Sequence, residues 1–294
     1  MENGELVKAV NPSIQQSPSM KLMDKVSILH GAVASGDLSI LEKHLLQHQS
    51  VVVNIGGLNA SLGVQSSASP SGLDAMLSTA GLNSSVSAGG LDVKDGNGWT
   101  LLHTACWYGQ LVAAGMLLSA GADVNANDHD GFTALHRCAE VGQAEAARLL
   151  LQRGVPPNKV VQKGTYSALH LACIHGHADV IPVLASYGAD TSARDMWQCT
   201  PLIRACLEGH LEAARAILRA GGEVDSRDNW KCTGLHRACH RGHVGLVSLL
   251  LEKGACLTAL DDKGERPGQI FPIGMPEETQ QVVKGSGFCV WNKP

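Results

Sequence analysis

The sequence predicts an all-α solenoid: stacked helix–turn–helix units joined by β-hairpin or turn fingers. Three observations carry that reading. A short phrase, G-x-T-x-L-H or a near variant, returns as GWTLLH (98–103), GFTALH (131–136), GTYSALH (164–170), QCTPLI (198–203) and KCTGLH (231–236). Its last residue falls at His103, His136, His170, Ile203 and His236, in steps of 33, 34, 33 and 33. A fixed period of this size marks supersecondary units whose apolar faces are covered only by stacking on their neighbours. After each phrase, a short apolar stretch ends at Gly109, Gly142, Gly176, Gly209 or Gly242. Each glycine is placed to close a first helix in the left-handed conformation. Beyond it, LVAAGMLL, AEAARLLL, ADVIPVLA, LEAARAIL and VGLVSLLL carry apolar residues at the spacing of a second helix.

Taken in chain order, residues 1–23 read as a disordered N-terminal segment and 24–49 as a capping unit with marker His30 and Gly36. From His30 to His103 the chain runs 73 residues, one period of 33 plus an insertion of 40. Residues 50–94 hold that insertion, Ser/Gly-rich and of low complexity, with GLN or GLD at 57–59, 72–74, 81–83 and 90–92. Five full units follow at 95–127, 128–160, 161–194, 195–227 and 228–260, here units 1 to 5. A degenerate capping unit (261–284) and a tail (285–294) complete the chain. Asp/Asn/Gly-rich turns such as GADVNAND and GADTSARD separate the units.

Composition narrows the function classes. A formal charge of −4 gives no broad attraction for phosphate backbones, so nucleic acid is not expected as a partner. No run approaches the roughly 18 apolar residues a membrane span needs, so no membrane insertion is expected. The cysteines follow the repeat instead of pairing: Cys106, Cys173, Cys206 and Cys239 sit three residues after the marker, and Cys199 and Cys232 are also 33 apart. Small buried thiols in a reducing compartment explain this better than disulfides, which points to the cytoplasm, with the nucleus as a further compartment.

These residues resemble the ankyrin repeat, whose pattern runs D-x-x-G-x-T-P-L-H-x-A-A, G-H, L-L, G-A-D-V-N-A, and the likeness covers about 95–260. Departures are local. Only Pro201 keeps the proline of the phrase, and Gln198 and Lys231 stand where glycine is usual, which predicts strained turns. Pro182 lies early in a second helix, and Pro156 and Pro157 replace the usual residues of one finger.

The resemblance implies a binding surface on the finger tips and the ends of the first helices. Those positions hold Trp99, Trp107, Tyr108, Phe132, Tyr166, Met196, Trp197, Asn229, Trp230, His240 and Arg241. Seven of the eleven aromatics fall among them, including four of five tryptophans. Large aromatics on exposed tips are the usual anchors of protein interfaces. The resemblance also makes the marker histidines hydrogen-bonding bridges between turns and makes Asn125 an acceptor for an asparaginyl hydroxylase. Cys199-x6-Cys206 and Cys232-x6-Cys239, with His240 and His243, do not match zinc spacing, so no metal and no cofactor are expected. Ser17-Pro18 and Ser69-Pro70 are candidate phosphorylation sites. No phosphate loop, nucleophile elbow or zinc-protease helix is present, so no catalysis is expected. The expected function is a monomeric, non-catalytic adaptor or scaffold that binds a protein partner. The alternative is a regulatory subunit of a separate enzyme.

Overall fold

The computed structural model describes residues 18–46, 91–161, 165–270 and the single positions 277, 280 and 283. Five inner helices recur: Leu101–Trp107, Ala134–Val141, Ala168–His175, Pro201–Glu208 and Gly234–Arg241. Each is followed by an outer helix: Leu111–Ser119, Ala144–Gln152, Val180–Ser186, Leu211–Arg219 and Val244–Glu252. Inner helices pack on inner helices and outer on outer along the stack. Among the described residues no β-strand forms. The fingers hold only the isolated antiparallel bridges Val160–Ser167 and Arg227–Thr233.

The repeated phrase builds each inner-helix start. In units 1, 2, 3 and 5 the backbone N–H of Thr100, Thr133, Ser167 or Thr233 donates to Nδ1 of the histidine three residues on, at 3.2, 3.3, 3.3 and 3.1 Å. This is a capping box with His in place of the usual Glu or Gln. With Nδ1 accepting, Nε2 carries the proton and reaches the next finger. His103, His136, His170 and His236 donate to the carbonyls of Phe132, Lys159, Cys199 and Glu265 at 3.0, 3.0, 3.0 and 3.2 Å. One ring thus satisfies a helix end and ties two units together.

The closing glycines serve twice. Gly142, Gly176, Gly209 and Gly242 have φ of 81°, 80°, 89° and 76°, the left-handed conformation expected of them. They also admit the residue that opens the next outer helix: a Cβ on Gly142 would lie 2.5 Å from His177 Nδ1, and one on Gly176 2.6 Å from His210 Nδ1. Those rings continue to the carbonyls of Glu140 and Ile174, at 3.0 and 2.9 Å. Between the helices, Leu102, Leu135, Leu169, Leu202 and Leu235 are fully buried, each contributing roughly 2 kcal/mol by burial. Cys106, Cys173, Cys206 and Cys239 are free, buried thiols beside them, as the repeat spacing predicts, and Cys138, outside that spacing, is free and buried too.

Several boundaries shift. The first helix runs Pro18–Ser35, so helix begins inside the segment expected to be disordered to residue 23. Proline suits a first helical position, where its missing N–H has no partner to lose. Residues 91–94, expected to belong to the insertion, are part of the first finger: Leu91 is fully buried and Asp92 Oδ1 accepts from the Asp123 N–H at 3.0 Å. The N-terminal unit nevertheless stacks directly on unit 1: His30 Nδ1 lies 2.6 Å from Thr104 Oγ1, and Gln110 Nε2 donates to the Ala34 carbonyl at 3.3 Å. The outer helix of unit 3 has seven residues where the other four have nine. Pro182 cannot donate to the carbonyl four residues back, so the turn before Val180 is not α-helical. Most of the insertion, the tail, Ser17, Ser69, Cys289 and nearly all of residues 271–284 of the expected capping unit lie outside the described residues.

Candidate partner-binding face

Every finger but that of unit 3, where Val161 takes the position, is organised by one aspartate. Oδ1 of Asp95, Asp128, Asp195, Asp228 and Asp261 accepts two backbone N–H groups, from the second and fourth residues after it, at 2.8–3.0 Å. Adjacent tips are then laced together: the N–H groups of His129, Asn229 and Asp262 donate to the carbonyls of Asn97, Trp197 and Trp230 at 3.2, 3.0 and 3.0 Å. This fixed backbone carries the aromatic side chains.

In units 2, 4 and 5 the residue after the marker is arginine, nine residues after the finger aspartate. Arg137, Arg204 and Arg237 pair with Oδ2 of Asp128, Asp195 and Asp228 at 2.6, 2.5 and 2.5 Å, and the three carboxylates are fully buried. Burial opposes the charge on Arg137, but hydrogen bonds to Asp128 and Glu140 outweigh it and raise its pKa. The outer faces of these guanidiniums are covered by aromatic rings. Arg137 sits 5.1, 5.9 and 4.3 Å from the ring centres of Trp99, Trp107 and Phe132. Arg204 sits 5.4 and 4.6 Å from Tyr166 and Trp197, and Arg237 lies 5.0 Å from Trp230. The fingers of units 2, 4 and 5 therefore each hold an aspartate, an arginine and its aromatic cover as one column.

The expected binding residues divide accordingly. Trp99, Trp107, Phe132, Tyr166 and Trp197 are half-buried in these columns. Tyr108, Met196 and Trp230 are exposed by 53%, 55% and 45%, and Asn229, His240 and Arg241 are exposed as well. Met196 and Trp230 come from adjacent laced tips, and Asn229 Nδ2 donates to the Met196 carbonyl at 3.4 Å. Asn125 is exposed on its own turn, its N–H held by Asp123 and its carbonyl by Lys159 Nζ, at 2.8 and 3.0 Å. The columns were readable as D-x8-R in three units, but that signal stays silent until the finger is known to fold back on its own helix.

Titratable groups elsewhere are buried and quiet. Desolvation lowers the pKa of His30, His103, His170 and His236, and takes His136 down to about 4. Burial pushes the Cys199, Cys206 and Cys239 thiols up to about 12, far from a reactive thiolate. On the outer-helix side, a groove of about 770 Å³ lies beside the shortened helix at Pro182 and Val183, with Leu111, Glu145 and Arg148 on its walls.

A family model for ankyrin repeats (three copies) matches residues 29–161, 117–195, 154–228 and 202–268. The chain belongs to the ankyrin-repeat family, whose repeats are protein–protein interaction modules and generally non-catalytic. Among solved structures, the human ASB11 ankyrin repeat domain is similar at a TM-score of 0.66 and 23% identity, covering 87% of this chain and 97% of that one. The ankyrin repeat domain of Bcl-3, described as a unique member of the IkappaB protein family, is similar at 0.63 and 23%, with the same coverage. Both likenesses are of fold. No curated protein matches the sequence significantly. Among the described residues, no helix is long and apolar enough to cross a membrane.

Proposed function

We propose that this chain is a non-catalytic adaptor or scaffold that holds a protein partner on its finger tips and the adjoining concave face. The observation that carries it is the pair Met196 and Trp230. Two large apolar side chains stand about half exposed on neighbouring tips whose backbones are hydrogen-bonded to each other. A rigid platform with exposed anchors loses little conformational entropy on association, which suits reversible binding. The half-buried rings of Trp197, Tyr166 and Phe132 support that platform, while Tyr108, Asn229, His240 and Arg241 extend its rim. Asn125 is carried as a separate proposed modification site, its side chain exposed on a turn fixed by Asp123 and Lys159. Mass spectrometry of the protein from cells would show one added oxygen on Asn125 or retire that site.

The test compares partners captured by the wild type and by Met196→Ala/Trp230→Ala, after matching their unfolding curves. Loss of a specific partner at unchanged stability supports the reading. An unchanged partner set overturns it.

A further inference from the structure

The turn at each finger tip requires a left-handed residue. Units 1 and 2 and the C-terminal unit supply Gly98, Gly131 and Gly264, with φ of 78°, 86° and 78°. Units 3, 4 and 5 supply Thr165, Gln198 and Lys231, at 54°, 58° and 55°. A side chain in this region is strained, and glycine would relieve it. Three strained tips in succession therefore retain side chains that the turn itself does not need. The last two, Gln198 and Lys231, directly follow Trp197 and Trp230, next to Met196 and Asn229.

What unit 5 presents there is a set of donors. Lys231, His240 and Arg241 are exposed, and among the described residues none of them makes an ion pair or a side-chain hydrogen bond. Arg237, beside them, is already neutralised by buried Asp228. His240 stands at the inner-helix position held by Trp107 in unit 1 and by Glu140 in unit 2. Those equivalents touch the finger face, since Trp107 stacks on Trp99 at 5.1 Å and Glu140 pairs with Arg137 at 2.7 Å. The next tip adds exposed Lys263 beside exposed Asp262, and exposed Glu208 holds the inner-helix position of unit 4 equivalent to Arg241.

We infer that the partner segment seated on the tips of units 4 and 5 is acidic, setting carboxylates against Lys231 and Arg241 and an apolar side chain between Met196 and Trp230. This inference rests on the docking reading above and adds the chemistry of the occupant. Long-range attraction to such a segment would speed association and weaken as salt screens it.

The test uses the full chain against a phage-displayed library of random peptides, with Lys231→Gly and Trp230→Ala as counter-targets. Lys231→Gly removes the cation while relaxing the turn, so its melting temperature rises and a loss of binding cannot come from unfolding. The expected result is enrichment of peptides with Asp or Glu flanking an apolar residue. Their affinity falls about tenfold in Lys231→Gly and is weakened by salt. Neutral or basic peptides that bind wild type but not Trp230→Ala would overturn the charge inference and leave the docking reading standing. Peptides that bind Trp230→Ala as well as wild type, or no enrichment at all, would overturn both.

Discussion

The Thr200 hydroxyl lies 3.0 Å from the Ser226 hydroxyl, a contact that takes the place of the missing marker histidine in unit 4. In four other units a histidine ring engages the capping Thr or Ser. Here Ile203 stands at that position, and its side chain offers nothing to bond. Ser226 fills a place held by Ala126, Ala193 and Ala259 in other fingers, and it meets the buried hydroxyl left over. Ser226→Ala should therefore lower stability by about 1 kcal/mol in urea unfolding, the usual cost of orphaning a buried hydroxyl. Ile203→His made in the Ser226→Ala background should recover most of it. Strict additivity of the two changes would contradict the substitution of one contact for the other.

The columns of Asp, Arg and aromatic ring should be the most sensitive interior polar sites. Arg204→Met leaves the Asp195 carboxylate buried without its cation, and we expect a loss of about 3 kcal/mol. Trp197→Ala uncovers the same pair and should cost about 2 kcal/mol. Trp230→Ala should cost less, because its ring is more exposed. Equal losses at Trp197 and Trp230 would show that Trp197 covers nothing of consequence.

Gly142 and Gly154 separate strain from collision. Both have left-handed φ, 81° and 82°, yet a Cβ on Gly142 would meet His177 at 2.5 Å while nothing lies within 4 Å of one on Gly154. Gly154→Ala should cost about 1 kcal/mol, the backbone penalty alone. Gly142→Ala should cost clearly more, and shrinking the ring with His177→Ala should return the difference. Chemical denaturation of the four proteins decides it.

Acid should loosen the stack through the marker histidines. Their folded pKa values lie below the ordinary 6.5, with His136 at about 4, so the unfolded chain takes up protons first as pH falls. Their contribution is complete above about 6.5 and is lost on the way down to about 4. His136 alone accounts for about 3 kcal/mol of that loss. Protonation also turns Nδ1 into a donor facing the Thr133 N–H, which breaks the cap. Urea midpoints measured from pH 7.5 to 4.5 should fall steadily, and less steeply in His136→Asn. A flat profile would mean that the rings protonate without leaving their sites.

Much of this architecture was legible because its causes are local. The period, the closing glycines, the buried thiols at marker plus three and the left-handed turns at Gln198 and Lys231 each follow from one residue in one place. The histidine bridges were legible through the family resemblance. The aromatic columns were not, since Trp197 and Trp230 stand two residues after their aspartate while Trp99 and Phe132 stand four after theirs. Only the folded finger shows that all of them cover arginines. Leu91 was hidden for a different reason: it lies in one of the GLD triplets of a low-complexity run, and nothing in that run singles it out as a core residue. Ser226 looked like one more polar finger residue until Ile203 gave it a partner.

The most direct test of the docking face is site-specific photocrosslinking in cells, with a photoreactive amino acid at Met196 on the tips and, in a second protein, at Val112 on the outer helix. Both side chains are exposed, by 55% and 62%. We predict a discrete covalent adduct with another protein from position 196 and none from position 112. An adduct from 112 alone, or the same adducts from both, would contradict a partner seated on the finger tips.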